Sequence, residues 1–188
     1  VHRADGSGTT SAFTDYLTAV NPGWASGPGK GTDVKWPLDL GGQGRTEVQG
    51  QVKQVPGAIG YVELSYANQN HLPTALIRNA RGEFIAPSPA AVTAAAAGAI
   101  GTLPANTDYR ISIVNAPGRG VYPISSLTWI LMYKSQRDPV KGRQLLDFVT
   151  WGLGEGQRYE TALDYAALPP AMAKQLLKRL GSVTIAAR

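Results

Sequence analysis

Cysteine is absent from this chain of 188 residues, and histidine occurs only twice, at His2 and His71. The first absence excludes disulfides, cysteine-ligated zinc and thiol catalysis. Two lone histidines make no metal cluster, so no metal site is expected. Charged residues are scarce as well, 16% against 43% apolar, which excludes a disordered polyelectrolyte and points to a globular chain with a sizeable core. No apolar run reaches the ~18 residues that would mark a membrane span, and no repeat recurs at a period of about 20 to 50 residues. Basic residues exceed acidic ones, 18 to 13, and the net charge of +5 favours an anionic partner through long-range attraction. They are scattered, with no basic run interleaved with aromatics, so nucleic acid is not expected. The turn-rich stretch 21–31 belongs on the surface and is not a nucleotide loop, because Lys30 is followed by Gly31 rather than by Ser or Thr. No cofactor is expected.

Chemistry is concentrated at the start of the chain, in Arg3 and Asp5-Gly6-Ser7-Gly8-Thr9. Ser7 stands where an N-cap belongs, and apolar residues at Phe13, Tyr16, Leu17 and Val20 form a helical stripe after it. A helix N-terminus carries unpaired N–H groups and partial positive charge, so a tetrahedral anion satisfies donors and dipole together. Gly6 and Gly8 let the backbone approach closely, and Arg3 offers a fork suited to two oxygens of a phosphate. Asp5 repels an anion, so its expected task is to orient Arg3. The alternative is that Ser7 only caps a helix and Arg3 only sits on the surface. Ser7, His2 and Asp5 are also the residue types of a hydrolytic triad. They fall within six positions, however, and Gly6-Ser7-Gly8 is not a nucleophile elbow, so a phosphatase-like hydrolase using Ser7 is the weaker rival and no catalytic residue is assigned.

The remaining pattern is mixed α/β. Helices are expected over 45–54, 90–97, 140–153, 157–163 and 170–180, with a helical turn around Glu63, Tyr66 and Ala67. Met172, Leu176, Leu177 and Leu180 form an apolar stripe on the last of the helices. Residues 58–62 and 109–114 are expected as strands, Gly60 marking close backbone packing. Residues 74–78 and 83–85 are expected to form a hairpin closed by a turn compatible with type I′. The strongest strand signal is 125–134, apolar on both faces as befits a central strand. Trp24, Trp36, Trp129 and Trp151 are expected to pack rather than to serve as sugar platforms. Gly41-Gly42-Gln43-Gly44 is either a plain turn before a helix or a second source of backbone donors, through Gly41, Gly42 and Gly44.

The segment 1–10 resembles the anion-binding stretch of the periplasmic phosphate-binding proteins that serve high-affinity phosphate ABC transporters. The similarity continues through Phe13-Thr14-Asp15-Tyr16-Leu17, Val34-Lys35-Trp36-Pro37, Gly41-Gly42-Gln43-Gly44, Pro56-Gly57-Ala58-Ile59-Gly60-Tyr61-Val62-Glu63, Tyr122-Pro123-Ile124-Ser125, Phe148-Val149-Thr150-Trp151 and Leu163-Asp164-Tyr165-Ala166-Ala167-Leu168-Pro169. The resemblance implies an α/β, type II periplasmic-binding-protein architecture, incomplete in its two lobes. Residues 1–121 would form most of the second lobe, and 122–188 would return to the first. It implies phosphate as ligand, Arg3, Asp5, Ser7, Gly8 and Thr9 as its site, the Gly41 to Gly44 loop near the cleft, transporter permease subunits as partners, and a periplasmic or extracellular location.

Members of that family carry a further N-terminal half that supplies other phosphate ligands, including a carboxylate that accepts the proton of hydrogen phosphate. The expectation is therefore a C-terminal portion whose other half, and export signal, belong to a separate chain or a longer parent. The 122–188 portion would otherwise expose more apolar surface than a monomer tolerates, so pairing with a separate N-terminal half, or self-association, is expected. A chain that only pairs in this way, without binding tightly itself, is the structural alternative to a working receptor.

Overall fold

The computed structural model describes residues 1–38, 40–101, 103 and 107–186. Helices dominate it, and each is set by a local signal. Ser7, in extended conformation (φ −142°, ψ 132°), caps α1 (Gly8–Val20), its Oγ accepting from the N–H groups of Thr9 and Thr10. The turn-rich stretch after α1 lies on the surface as expected, yet it holds a short helix, α2 (Pro22–Ser26), capped by Asn21. Helix α3 (Gly44–Gln54) follows the glycine loop, and α4 (Leu64–Gln69) is the expected helical turn. Ser88-Pro89 starts α5 (Pro89–Ile100), which runs three residues past the expected end, and Asp138 caps α6 (Pro139–Leu153). The 157–163 helix is instead two 3₁₀ turns, Glu155–Tyr159 and Thr161–Leu163, before α7 (Pro170–Leu180).

Sheet structure among the described residues is confined to two-residue pairings. β1 (His2–Arg3) lies parallel to β2 (Gly41–Gly42), β3 (Ile77–Arg78) antiparallel to β4 (Phe84–Ile85), and β5 (Ser135–Gln136) parallel to β6 (Thr184–Ile185). The β3–β4 hairpin has the expected place but not the expected turn. Asn79 O accepts from the Gly82 N–H, and Asn79 Oδ1 accepts from the N–H groups of Arg81 and Glu83. Gly82 is left-handed (φ +81°), whereas Ala80 and Arg81 are not, so the loop is an Asx turn ending on a left-handed glycine rather than type I′.

Three expected strands do not form. Residues 58–62 and 109–114 make no ladder, and 125–133 makes none before Lys134 O accepts from the Thr184 N–H at the start of β5. A strand needs a partner for its N–H and C=O groups, and no neighbouring strand stands beside these segments among the described residues. Leu131 is accordingly 92% exposed, and Ile130 and Tyr133 are exposed with it. The close packing expected at Gly60 is present, because a Cβ there would sit 2.8 Å from Val52 Cγ2.

The largest buried cluster is built from small side chains. Ala95, Ala96 and Ala99 of α5 pack on Ile113, Ala116 and Val121, with Leu127 at its edge. Alanines let the following loop come close: a Cβ on Gly98 would fall 2.1 Å from Pro117 O. Beneath the first residues lies a second, aromatic layer. His2 stacks on Trp36 (4.8 Å, 13°), Trp36 on Tyr61 (6.0 Å) and Tyr61 on Phe13 (4.8 Å). Helix α1 contributes Phe13 of its apolar stripe to this layer, but its fully buried side chains are the polar Thr10 and Thr14. Their hydroxyls are satisfied by the Tyr61 hydroxyl (2.7 Å) and the Thr10 carbonyl (2.8 Å).

Candidate anion-binding site

The site is assembled where β1 hands over to α1. β1 is anchored on both sides: the His2 and Ala4 N–H groups donate to Leu40 O and Gly42 O, and the Arg3 N–H donates to the Tyr61 hydroxyl. The β2 strand comes close to β1 because Gly41 allows it, a Cβ there falling 3.1 Å from both Ala4 Cβ and His2 Cε1, while a Cβ on Gly42 would fall 2.7 Å from Val48 N of α3. Arg3 then points its guanidinium at Asp5, Nε to Oδ1 at 2.7 Å and Nη2 to Oδ2 at 2.5 Å. The Gly44 N–H adds a third bond to Asp5 Oδ1 (3.0 Å). Gly44 is left-handed (φ +65°), the conformation that turns its N–H back toward the start of the chain.

Electrostatically the pair is a fixed cation with an orienting anion. The Arg3 guanidinium, and after it the Gly44 N–H, hold the Asp5 carboxyl well below the usual carboxylate range. Asp5 in turn raises the Arg3 pKa. The Arg3 side chain is 14% exposed and that of Asp5 36%. Two of the five guanidinium N–H groups are used on Asp5, which leaves the others for a ligand.

Next to this pair, the mouth of α1 is open. Gly6 and Gly8 are exposed, and nothing lies within 4 Å of where a Cβ would stand on either. Among the described residues no acceptor takes the Gly8 N–H. Ser7 is buried, and its oxygen accepts from Thr9 N (3.2 Å) and Thr10 N (3.3 Å), so its own proton is what it has left to give. Thr9 differs from expectation here. Its N–H is consumed by the cap, and its hydroxyl donates to Glu63 Oε1 (2.8 Å), a partner 54 positions away that sequence spacing does not reveal. Glu63 and Tyr61, whose hydroxyl takes the Arg3 N–H and meets the Thr10 hydroxyl, are thus neighbours of the site that sequence reasoning missed.

Of the glycine loop, Gly44 joins the site through Asp5, whereas Gly41 and Gly42 serve β-pairing and close packing. The hydrolytic alternative finds no support in the bonding. The Asp5 carboxylate is committed to Arg3 and Gly44, the Ser7 oxygen to two amides, and His2 Nδ1 lies 2.9 Å from Arg3 O with its ring stacked on Trp36. His71 is exposed on its loop. Among the described residues no group of three or more His, Cys, Asp or Glu could hold a metal. Two concavities, of about 290 Å³ beside Tyr16 and Arg78 and about 390 Å³ beside Arg143 and Ile185, lie away from residues 3–9. The cradle opens on a surface rather than into either of them.

The sequence pattern of a family described as a PBP superfamily domain matches residues 1–155. The chain belongs to the PBP superfamily. Its relatives include three proteins named phosphate-binding protein PstS. The one from Xylella fastidiosa (strain Temecula1) is 41% identical over 176 residues, 94% of this chain and 48% of the relative. The one from Methanocaldococcus jannaschii is 37% identical over 188 residues, 93% of this chain and 48% of the relative. The one from Pasteurella multocida is 36% identical over 176 residues, 94% of this chain and 51% of the relative. The chain therefore spans about half the length of these relatives. No described helix is long and apolar enough to cross a membrane.

Proposed function

We propose that the chain binds inorganic phosphate as part of the solute receptor of a phosphate ABC transporter, outside the cytoplasmic membrane, and performs no chemistry. The observation that carries this reading is the Arg3–Asp5 fork, latched by the Gly44 N–H and set beside the open N-terminus of α1. Arg3 supplies charge, the Ser7 hydroxyl and Gly8 N–H supply donors, Thr9 lines the mouth, and Asp5 orients Arg3. The names of the relatives support phosphate as the anion; a transporter permease as partner is what the resemblance implies.

Magnitudes decide how much this cradle does alone. Each hydrogen bond to a charged group nets about 1.5–3 kcal/mol, while association costs at least about 4 kcal/mol. Three or four such donors reach about millimolar affinity, which corresponds to roughly −4 kcal/mol, whereas a micromolar receptor needs about −8. Tight binding calls for groups from a second lobe. We assign residues 1–121 to most of one lobe and 122–188 to a return to the other, the complementary groups coming from an N-terminal half or through self-association. The exposed aromatic ladder Phe148, Trp151 and Tyr159, together with Leu163 and Tyr165, supports that pairing and favours a complementing fragment as the second reading.

Thermal denaturation with added anions separates the two. Phosphate at about 100 times its dissociation constant stabilises a receptor by about 2.7 kcal/mol, read as a raised Tm with no product released from a chromogenic phosphate ester. A Tm indifferent to phosphate, but raised by mixing with an N-terminal half, supports the complementing fragment.

A further inference from the structure

We propose that Tyr61 is a positioning residue whose hydroxyl pins Arg3 to the first turn of α1 and so sets the spacing between the cation of the cradle and its helix donors. This inference rests on reading residues 3–9 as an anion cradle, and the role it gives Tyr61 acts through Arg3 and Thr10 rather than on the anion. The covalent path between Arg3 and the mouth of α1 is a poor spacer. It runs through Gly6 and Gly8, the residue type with the most backbone freedom, and nothing lies within 4 Å of where a Cβ would stand on either. Pairing with β2 holds only the neighbours of Arg3: the His2 and Ala4 N–H groups donate to Leu40 O and Gly42 O. The Arg3 N–H needs a partner of its own, and it donates to the Tyr61 hydroxyl at 3.0 Å.

The same hydroxyl reaches α1. Tyr61 Oη stands 2.7 Å from Thr10 Oγ1, and Thr10, fully buried, gives its N–H to the Ser7 oxygen that caps the helix. One oxygen therefore joins the backbone of β1 to the turn that carries the Ser7 hydroxyl and the Gly8 N–H. A phenol has one proton and two lone pairs, enough to take the Arg3 N–H and to bond Thr10 in either direction. Among the described residues Thr10 Oγ1 bonds to Tyr61 alone, so the link has no substitute. The oxygen is itself held in place. The Tyr61 ring stacks on Phe13 of α1 (4.8 Å, 19°) and on Trp36 (6.0 Å, 23°), and Gly60 before it is pressed against α3, where a Cβ would fall 2.8 Å from Val52 Cγ2. Ring packing fixes where Tyr61 stands, and its hydroxyl fixes what stands beside it. An anion gripped by Arg3 and by the Ser7 and Gly8 donors senses that spacing, because donors that must be ordered at the moment of binding cost affinity that preorganised donors keep.

Titration of the whole chain with inorganic phosphate, followed by the amide proton resonance of Gly8, tests this. Tyr61→Phe keeps the ring stacks and removes the pin at its centre, whereas Thr10→Val keeps the helix cap and removes the α1 end of the pin. Each is expected to weaken phosphate about tenfold in protein that a melting curve shows to be folded. The two breaks lie in series, so the double variant Tyr61→Phe, Thr10→Val is expected to bind no more weakly than the weaker of the two single variants, a coupling that independent losses do not produce. Thr10→Ser, which keeps a hydroxyl, is expected to bind like the wild type, and its contrast with Thr10→Val carries the test if Tyr61→Phe does not fold. A lower Tm with phosphate affinity unchanged, or losses of affinity that add in the double variant, would make Tyr61 a packing residue and overturn the inference while the cradle stands. A Gly8 resonance in the wild type that ignores phosphate overturns the cradle itself, and the pin with it.

Discussion

At the scale of single residues, the Arg3–Asp5 pair is the feature with the plainest consequence. The Asp5 carboxyl titrates below its ordinary value of about 3.9 because it is ionised against Arg3 and the Gly44 N–H. A depressed folded-state pKa contributes stability that is fully present above the unfolded value and is lost as pH falls through the folded one. The wild-type Tm should therefore drop as pH falls below about 4, and Asp5→Asn should flatten that part of the Tm profile while lowering Tm at neutral pH. Parallel melting curves of the two proteins check this, and identical acid slopes would contradict it. Residue identity made this pair legible in the sequence, since two positions separate a guanidinium from a carboxylate on an extended segment. The Thr9 to Glu63 bond was not legible, because only the fold brings positions 9 and 63 together.

At the scale of elements, helices announce themselves and strands do not. Ser7 and Ser88-Pro89 are local signals, complete within four residues, and both begin helices. Residues 125–134 carry an equally clear apolar pattern, but a strand is defined by what pairs with it, and that is not written in the segment itself. The pattern correctly marks residues that want a cover, and Trp129, Ile130, Leu131 and Tyr133 remain exposed. Helix-level predictions follow from the caps and contacts. Ser7→Ala removes both bonds at the start of α1 and should cost about 1 kcal/mol, measured by urea denaturation, whereas Ser7→Gly should cost only a few tenths. In α5, Gly98→Ala gains up to about 1 kcal/mol of helix propensity. It also drives a Cβ to 2.1 Å from the Pro117 carbonyl, a backbone atom that cannot rotate away. The clash should win, with a net loss of about 1–3 kcal/mol in the same assay, and a stabilised Gly98→Ala would show that α5 and the 116–117 turn do not pack as described.

At the scale of the whole molecule, two features belong together: a cradle that opens on a surface, and apolar side chains with nothing over them. The chain spans about half the length of its relatives, 48% of the Xylella fastidiosa protein, and the cradle proposed at residues 3–9 would meet an anion from one side. Phe148, Trp151, Leu131 and Tyr133 are exposed apolar side chains, and association that covers them is expected. Sedimentation velocity over a concentration series should show association by the chain alone, and its replacement by a one-to-one complex when an N-terminal half is added. A concentration-independent monomer that ignores the added half would contradict the pairing.

The central claim is that a positively polarised segment at residues 3–9 holds a tetrahedral oxyanion. Its most direct test is calorimetric titration with phosphate of the wild type, Arg3→Ala and Arg110→Ala, the last an exposed arginine that pairs with Asp108. Both variants lose the same unit of charge, so general attraction affects them equally. The account predicts that phosphate binding disappears in Arg3→Ala and persists in Arg110→Ala; equal affinity in all three proteins would contradict it.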